Sequence, residues 1–93
     1  MARMGIQPGN VVHGIGTVGA TAQVIASDST SSVLVWMDSA NSGTIYFGGS
    51  AVTTADGYPR TAGQEFEGGV FANQTYVIGS GAGQVYRWIG IKL

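Results

Sequence analysis

The chain of 93 residues contains no cysteine, so it can form neither disulfides nor thiolate metal sites. It also contains only two prolines. No stretch of helical length places apolar residues at positions i, i+3, i+4 and i+7 behind a capping residue. These absences leave the redox compartment open and disfavour a helical or disulfide-stapled fold.

Charge is scarce as well. Charged residues make up 10% of the chain, against roughly 25% in an average soluble domain. Either a surface of Ser, Thr, Asn and Gly keeps the protein in solution, or other protein covers much of the surface. Because obligate interfaces are poor in charge and rich in aromatic residues, the composition favours coverage by protein. Four basic residues far apart do not form the basic patch that nucleic-acid binding requires.

Long hydrophobic runs are missing too. The stretch Val11–Ala26 is too short and too interrupted by polar residues and glycine to cross a bilayer. The first ten residues include Arg3 but no apolar run that would mark a signal peptide. We therefore expect a protein that is made in the cytoplasm, is not exported and does not bind a membrane.

What the chain does contain is 16 glycines and many β-branched residues, which favour short strands joined by tight turns. We predict an all-β fold, a small antiparallel β-sandwich or barrel of jelly-roll type. The predicted strands are Thr21–Ala26, Ser32–Asp38, Thr44–Gly48, Gln64–Gly68, Thr75–Gly79 and Gln84–Lys92. The connection Gly49–Gly63 is predicted to be a long loop.

Two features of this pattern predict self-association. In Ser32–Asp38 both faces are apolar, so one of them should be covered by a second subunit. Residues 1–18 are rich in glycine and weakly patterned, and we predict an extended arm there that is ordered only against a partner. Residues 19–93 then form a single β domain. Deletion of residues 2–17 is expected to leave that domain folded.

The run Gly14-Ile15-Gly16-Thr17-Val18-Gly19 matches the dinucleotide-binding fingerprint, with Asp38 a little over twenty residues later. A true site requires a strand before the glycines, a helix after them and further βα units. The preceding strand would be little more than Val11-Val12, and the following segment is crowded with Ser, Thr and Asp. We therefore predict no cofactor site.

No constellation of catalytic residues stands out either. His13 is the only histidine, and the aspartates have no ligand spacing around it, so no metal site is predicted. Glu65 and Glu67 would lie about 7 Å apart on one strand face, which is conceivable for a glycosidase pair. A solvated sheet edge accounts for them more simply, and we predict a protein without enzymatic activity.

The aromatic residues offer two alternatives, a sugar-stacking platform or a subunit interface. Most of them should belong to the core, and one or two exposed ones would anchor whatever the domain binds. The candidates for interface residues are Trp36, Trp88, Tyr46, Tyr58 and Tyr86.

Three runs, Thr44–Pro59, Ala62–Phe66 and Gln74–Trp88, follow one another in a familiar order. The order is a strand, a Gly-Gly pair, a Val-Thr-Thr turn, a Gly-aromatic-Pro motif, a Gly-Glu strand and a final strand pair. Over about residues 32–90 the chain resembles small structural proteins of tailed bacteriophages. Arg60 departs from the usual apolar residue after the proline, and the N-terminal segment has no counterpart.

The resemblance implies a capsid decoration, or cement, protein on the virion surface. Such proteins are rich in β structure, are often trimeric and clamp joints between subunits of the major capsid protein. The partners implied are therefore further copies of the chain, in a homotrimer, and the major capsid protein. The alternative is a fibre-associated adhesion or carbohydrate-binding module, since related modules also occur in head and tail fibres.

Overall fold

The structure, a computed structural model, describes residues 10–68, 71–81 and 83–92. It is all-β, as predicted. The strands are β1 (Val11–Val18), β2 (Gln23–Val24), β3 (Thr30–Met37), β4 (Ile45–Gly48), β5 (Tyr58–Arg60), β6 (Glu65–Gly68), β7 (Tyr76–Gly79) and β8 (Gln84–Lys92), and a short 3₁₀ turn spans Ala72–Gln74.

The strands form two antiparallel sheets of four, which pack face to face as a small β-sandwich. Sheet A has the order β1-β8-β3-β6 and sheet B the order β2-β7-β4-β5. Most connections between consecutive strands cross from one sheet to the other, so strands that are neighbours in a sheet lie far apart in sequence. The predicted antiparallel sandwich is confirmed.

The core lies between the inner faces of the two sheets. Alternation along β3 buries Val33, Val35 and Met37, as the sequence pattern predicts. Sheet B contributes Phe47, whose ring stacks on that of Phe66 with centroids 4.2 Å apart. The remaining buried hydrophobic residues of the cluster are Val18, Ile25, Ile45, Ala72, Val77, Tyr86 and Trp88.

All six predicted strands are present, with ends that differ by at most two residues. Two further strands are not predicted by the sequence pattern. One is β5, three residues within the predicted loop Gly49–Gly63, which pairs with β4. The other is β1, which changes the domain description.

The prediction of an arm over residues 1–18 is wrong for residues 11–18. These residues form β1, which pairs with β8 along its whole length, from Val11 opposite Ile91 to Val18 opposite Gln84. Val18 is fully buried in the core, so no domain boundary follows it. Residues 1–9 of the predicted arm lie outside the described residues. The expectation that deletion of residues 2–17 leaves the domain intact loses its basis.

The glycines of β1 explain why its pattern is hard to recognise. Gly14 lies opposite Trp88 and Gly16 opposite Tyr86 in the register of β1 and β8. A Cβ atom at Gly14 would lie 2.7 Å from Trp88 Nε1, and one at Gly16 would overlap the Tyr86 ring. The aromatic rings of β8 thus fill the space that inward side chains of β1 would otherwise occupy.

This arrangement also accounts for the glycine fingerprint. Gly14 and Gly16 lie inside an extended strand rather than in a turn that opens a helix, as a pyrophosphate-binding site requires. Their close approach serves the aromatic side chains of the neighbouring strand.

Candidate functional site

The outer face of sheet A is the surface formed by side chains that alternate away from the core. Its residues are Val11, His13, Ile15 and Thr17 of β1, Val85, Arg87, Ile89 and Ile91 of β8, Ser32, Leu34 and Trp36 of β3, and Glu65 and Glu67 of β6. Among the described residues, sheet B covers the inner face, and no other element packs on this outer face.

Aliphatic side chains dominate its centre. Ile15 is 63% exposed, Val11 50% and Ile89 49%. The pairing register places Ile89 between His13 and Leu34, and Arg87 between Ile15 and Trp36. With a strand spacing of about 4.8 Å and a rise of about 3.3 Å per residue, three strands of at least eight residues and the four residues of β6 give a whole face of roughly 450 Å². An exposed apolar centre on a face of this size often marks a protein-binding site.

A shallow depression breaks the flatness of this face. It has a volume of about 160 Å³ and is lined by Leu34, Trp36, Arg87, Trp88 and Ile89. Its lining is almost entirely apolar, with the arginine at one side. A recess of this size and character can receive an apolar side chain of a binding partner.

Charged groups lie at one end of the face. The Arg87 guanidinium contacts the Asp38 carboxylate at 2.8 Å and lies 5.6 Å from the centre of the Trp36 ring. The pKa of Asp38 is lowered, first by the hydrogen bond that the Ala40 amide donates to it and then by Arg87. The one cation of this end is thus already held by an anion and an aromatic ring.

The acidic side chains lie along one edge. Glu65 and Glu67 are exposed on β6, opposite Trp36 and Leu34. The outer face of sheet A therefore has an apolar centre with polar groups on its margin, the arrangement found in protein–protein interfaces.

The outer face of sheet B differs. Its side chains Val24, Tyr46, Tyr76 and Ile78 are half-buried. Among the described residues, the large hydrophobic side chains that are exposed are Val11, Ile15, Tyr58, Phe71 and Ile89, and three of these five lie on the outer face of sheet A. Exposed apolar surface is therefore concentrated on sheet A.

The structure separates the aromatic interface candidates. Trp36 lies on the outer face of sheet A, Tyr46 on that of sheet B and Tyr58 at the rim of the sandwich. Tyr86 is fully buried in the core, so its prediction as an interface residue is wrong. Trp88 also packs in the core, but part of it lines the shallow depression of the outer face of sheet A. Tyr86 donates a hydrogen bond to the Ile25 carbonyl, and burial raises the pKa of its hydroxyl.

An arginine side chain lies over one face of each of two interface candidates, Tyr58 and Trp36. The Arg60 guanidinium lies 4.6 Å from the centre of the Tyr58 ring and donates a hydrogen bond of 2.6 Å to its hydroxyl. Arg87 covers Trp36 in a similar way. The two rings lie on different parts of the molecule and form no common platform.

Groups suited to chemistry are dispersed. Within residues 10–68, 71–81 and 83–92, no three His, Asp or Glu side chains come together as a metal site would require. A depression of about 300 Å³ beside β4 is lined by glycines, Ala51, Val52 and Asp56. Asp56 there accepts hydrogen bonds from the Thr53 amide and hydroxyl, which lower the pKa of its carboxyl. It closes a turn.

Sequence reasoning missed the apolar residues that β1 supplies to this face. The signal is the alternation of Val11, His13, Ile15 and Thr17, which the glycines between them obscure. In β8 the signal is clearer, because Val85, Ile89 and Ile91 make one face apolar while Tyr86 and Trp88 occupy the other. As in β3, both faces of β8 are apolar.

The described part of the chain contains no helix long and apolar enough to cross a membrane. No protein-family model matches the sequence, and no similar protein is found among curated proteins or among solved structures.

Proposed function

We propose that this protein is a non-catalytic structural protein that binds other protein through the outer face of sheet A. The observation that carries the proposal is the exposure of Val11, Ile15 and Ile89 side by side on an open sheet. Removing apolar surface from water contributes about 25 cal/mol per Å². A face of roughly 450 Å² on each partner, about 900 Å² in total, has the size of a small, weak interface.

Within this class we propose a capsid decoration protein of a tailed bacteriophage, which binds on the virion surface at joints between major capsid protein subunits. The sequence resemblance over about residues 32–90 supports this assignment. A flat apolar face suits such a role, because attachment in many copies multiplies modest contacts by valency. The trimer that the resemblance implies stays a prediction, since nothing in a single chain fixes a three-fold axis.

Cryo-electron microscopy of purified virions of the encoding phage tests the assignment. Density for this sandwich at joints between capsid subunits, with sheet A towards the shell, is the expected result. Density confined to a fibre would favour the fibre-associated adhesion or carbohydrate-binding alternative. Absence of the chain from the virion would overturn the capsid role.

A variant of the apolar centre tests the surface directly. Ile89→Lys places a charge in the middle of the outer face of sheet A without entering the core, because Ile89 is half exposed. Full burial of an aliphatic side chain contributes about 1.5–3 kcal/mol, and binding can bury only the exposed half of Ile89. The loss of about 0.8–1.5 kcal/mol means that occupancy on decoration-free capsids should require roughly 4 to 13 times more protein.

Thr54→Lys is the matched control. Thr54 is exposed in the loop between β4 and β5, so this substitution introduces the same charge away from sheet A. The control should bind as the unmodified protein does. Equal binding by Ile89→Lys and the unmodified protein would show that another surface attaches the protein.

A further inference from the structure

The backbone of β1 leaves a row of hydrogen-bonding groups without a neighbouring strand. Within residues 10–68, 71–81 and 83–92, β1 is an edge strand of sheet A, with β8 as its one neighbour. The Asn10 carbonyl accepts a hydrogen bond from the Lys92 amide, and the Val18 carbonyl accepts one from the Gly83 amide. Even-numbered residues therefore direct their N–H and C=O groups towards β8, and odd-numbered ones direct theirs outwards.

The outward groups belong to Val11, His13, Ile15 and Thr17. At the far end of the strand, the Gln23 side chain donates a hydrogen bond of 3.1 Å to the Thr17 carbonyl. The Gln23 side chain thus occupies the Thr17 carbonyl, which is then not available to a further strand. The stretch from Val11 to Ile15 stays open among the described residues.

The other sheet edges carry features that prevent strand addition. β2 has two residues, and β5 has three, with Pro59 in the middle. β6 has four residues and exposes Glu65 and Glu67. Short length, proline and charge are the usual protections of an edge strand.

β1 has none of these protections. It is eight residues long and contains no proline and no Lys, Arg, Asp or Glu. Its side chains on the outer face of sheet A include two of the most exposed aliphatic groups of the described residues, Val11 and Ile15. A long, uncharged and apolar edge of this kind is a template for another strand.

We propose that β1 pairs in antiparallel fashion with β1 of a second copy, across a two-fold axis at His13. This register places His13 opposite His13 of the second copy and Val11 opposite Ile15. It uses both backbone groups of Val11, His13 and Ile15 in each copy, and so forms six hydrogen bonds. It leaves the Thr17 carbonyl, already engaged by Gln23, outside the pairing.

A second copy is the occupant that fits best, because the edge is complementary to itself. Antiparallel pairing about a two-fold axis brings outward residues opposite outward residues, as an isologous contact requires. β1 contains no Lys, Arg, Asp or Glu, whereas two β6 edges would oppose their glutamates. The pairing also joins the two outer faces of sheet A into one apolar surface of eight strands.

This association is independent of the capsid role, and its symmetry differs from the trimer that the resemblance implies. Sedimentation equilibrium of the full chain over a wide range of protein concentration should give a monomer–dimer equilibrium. A monomer at the highest concentration, or a monomer–trimer equilibrium, would overturn the proposal.

Amide hydrogen exchange identifies the surface used. In the dimer the outward amides of Val11, His13 and Ile15 should exchange at least about tenfold more slowly than in dilute monomer. The inward amides of Val12 and Gly14, bonded to β8, serve as the internal reference, because they should be protected at both concentrations. A dimer in which the outward amides stay unprotected would show association through another surface and refute the edge pairing.

Ile15→Pro removes an outward donor without touching the bonds to β8, which makes it the sharpest variant. Two symmetry-related hydrogen bonds are lost, and the dimer should dissociate at least about tenfold more readily. Ile15→Val retains the N–H and the branched side chain and should dimerise normally. Equal dimerisation by the proline variant would contradict the proposal.

If circular dichroism shows that Ile15→Pro does not fold, His13→Lys tests the edge pairing instead. It leaves the backbone intact and opposes two positive charges across the axis, so it should also favour the monomer at least about tenfold. Unchanged dimerisation of a folded His13→Lys variant would overturn the register. Ile89→Lys, which acts on the outer face, should leave the edge dimer in place, so failure of capsid binding and failure of edge pairing can be told apart.

Discussion

Gly16→Ala should strongly destabilise the sandwich, although it adds a single methyl group. The new Cβ would lie 2.6 Å from Tyr86 Cε2 and would overlap the tip of the ring. Tyr86 is among the largest fully buried side chains, and its hydroxyl donates a hydrogen bond to the Ile25 carbonyl. The ring therefore cannot move aside without giving up both core packing and a buried hydrogen bond.

The magnitude follows from these two losses. Overpacking of a dense core costs about 1–3 kcal/mol, and an unsatisfied buried polar group costs about 1–3 kcal/mol. Replacement of glycine by alanine in a strand returns about 0.5–1 kcal/mol. We expect a net loss of about 3 kcal/mol in the free energy of unfolding, against a total of roughly 5–14 kcal/mol for a domain of this size. The melting temperature should fall by about 10–25 °C.

Urea denaturation followed by tryptophan fluorescence measures this loss, and an unchanged slope would show that the unfolded state is not altered. Gly19→Ala is the matched control, because a Cβ there meets nothing within 4 Å. It should change the free energy of unfolding by less than about 0.5 kcal/mol. Equal stability of the two variants would refute the proposed contact.

Repeating Gly16→Ala in a protein that already carries Tyr86→Leu tests whether the contact with the Tyr86 ring causes the loss of stability. In a Tyr86→Leu protein the shorter side chain leaves room for the methyl group, so Gly16→Ala should then cost less than about 1 kcal/mol. An undiminished cost in that background would mean that the loss arises elsewhere.

Three further predictions concern the whole domain. Deletion of residues 2–17 removes β1 and uncovers Trp88, so the remaining chain should lose its cooperative thermal unfolding; a folded deletion variant would contradict the pairing of β1 with β8. Stability should be constant at neutral pH and should decline as the pH falls below about 4, because the pKa of Asp38 in the folded protein lies below its ordinary 3.8 and the unfolded chain takes up the proton first. In the Asp38→Asn variant, the melting temperature should fall less steeply as the pH decreases below about 4. An unchanged dependence of the melting temperature on pH would exclude a contribution from Asp38. Calorimetric titration with NAD or FAD should show no saturable binding, since Gly16 lies in a strand against Tyr86. Saturable binding that is lost in the Gly16→Val variant would contradict this prediction.

The part of the fold that sequence could predict is the part in which side chains alternate. β3 and β8 show two apolar faces in the sequence, and their bounds follow from where that alternation stops. β5 could not be predicted, because it has three residues, one of them proline, and is held by pairing with β4. Such pairing is not visible in a local window of sequence.

The candidate site shows the same limit. Its apolar residues come from strands whose order in sheet A, β1-β8-β3-β6, places the two ends of the described chain side by side. Sequence indicated that β3 has two apolar faces, and the structure places one of them in the core and the other on the outer face of sheet A. It could not indicate that Ile89 and Ile15 share that face, since the register between β1 and β8 joins residues 66 to 80 positions apart.

The glycines of β1 connect its stability with its proposed pairing. Gly14 and Gly16 give up inward side chains so that Trp88 and Tyr86 can lie beneath the strand, and β1 therefore contributes little apolar area of its own at these positions. Glycine also weakens a strand through the entropy that it loses on folding. β1 is thus held mainly by its hydrogen bonds to β8 and by the packing of Val18. A second strand on its open edge would supply the ordering that its own residues provide weakly. If the edge pairing forms, the melting temperature should therefore rise with protein concentration, and a melting temperature that is independent of concentration would contradict association of the folded chain.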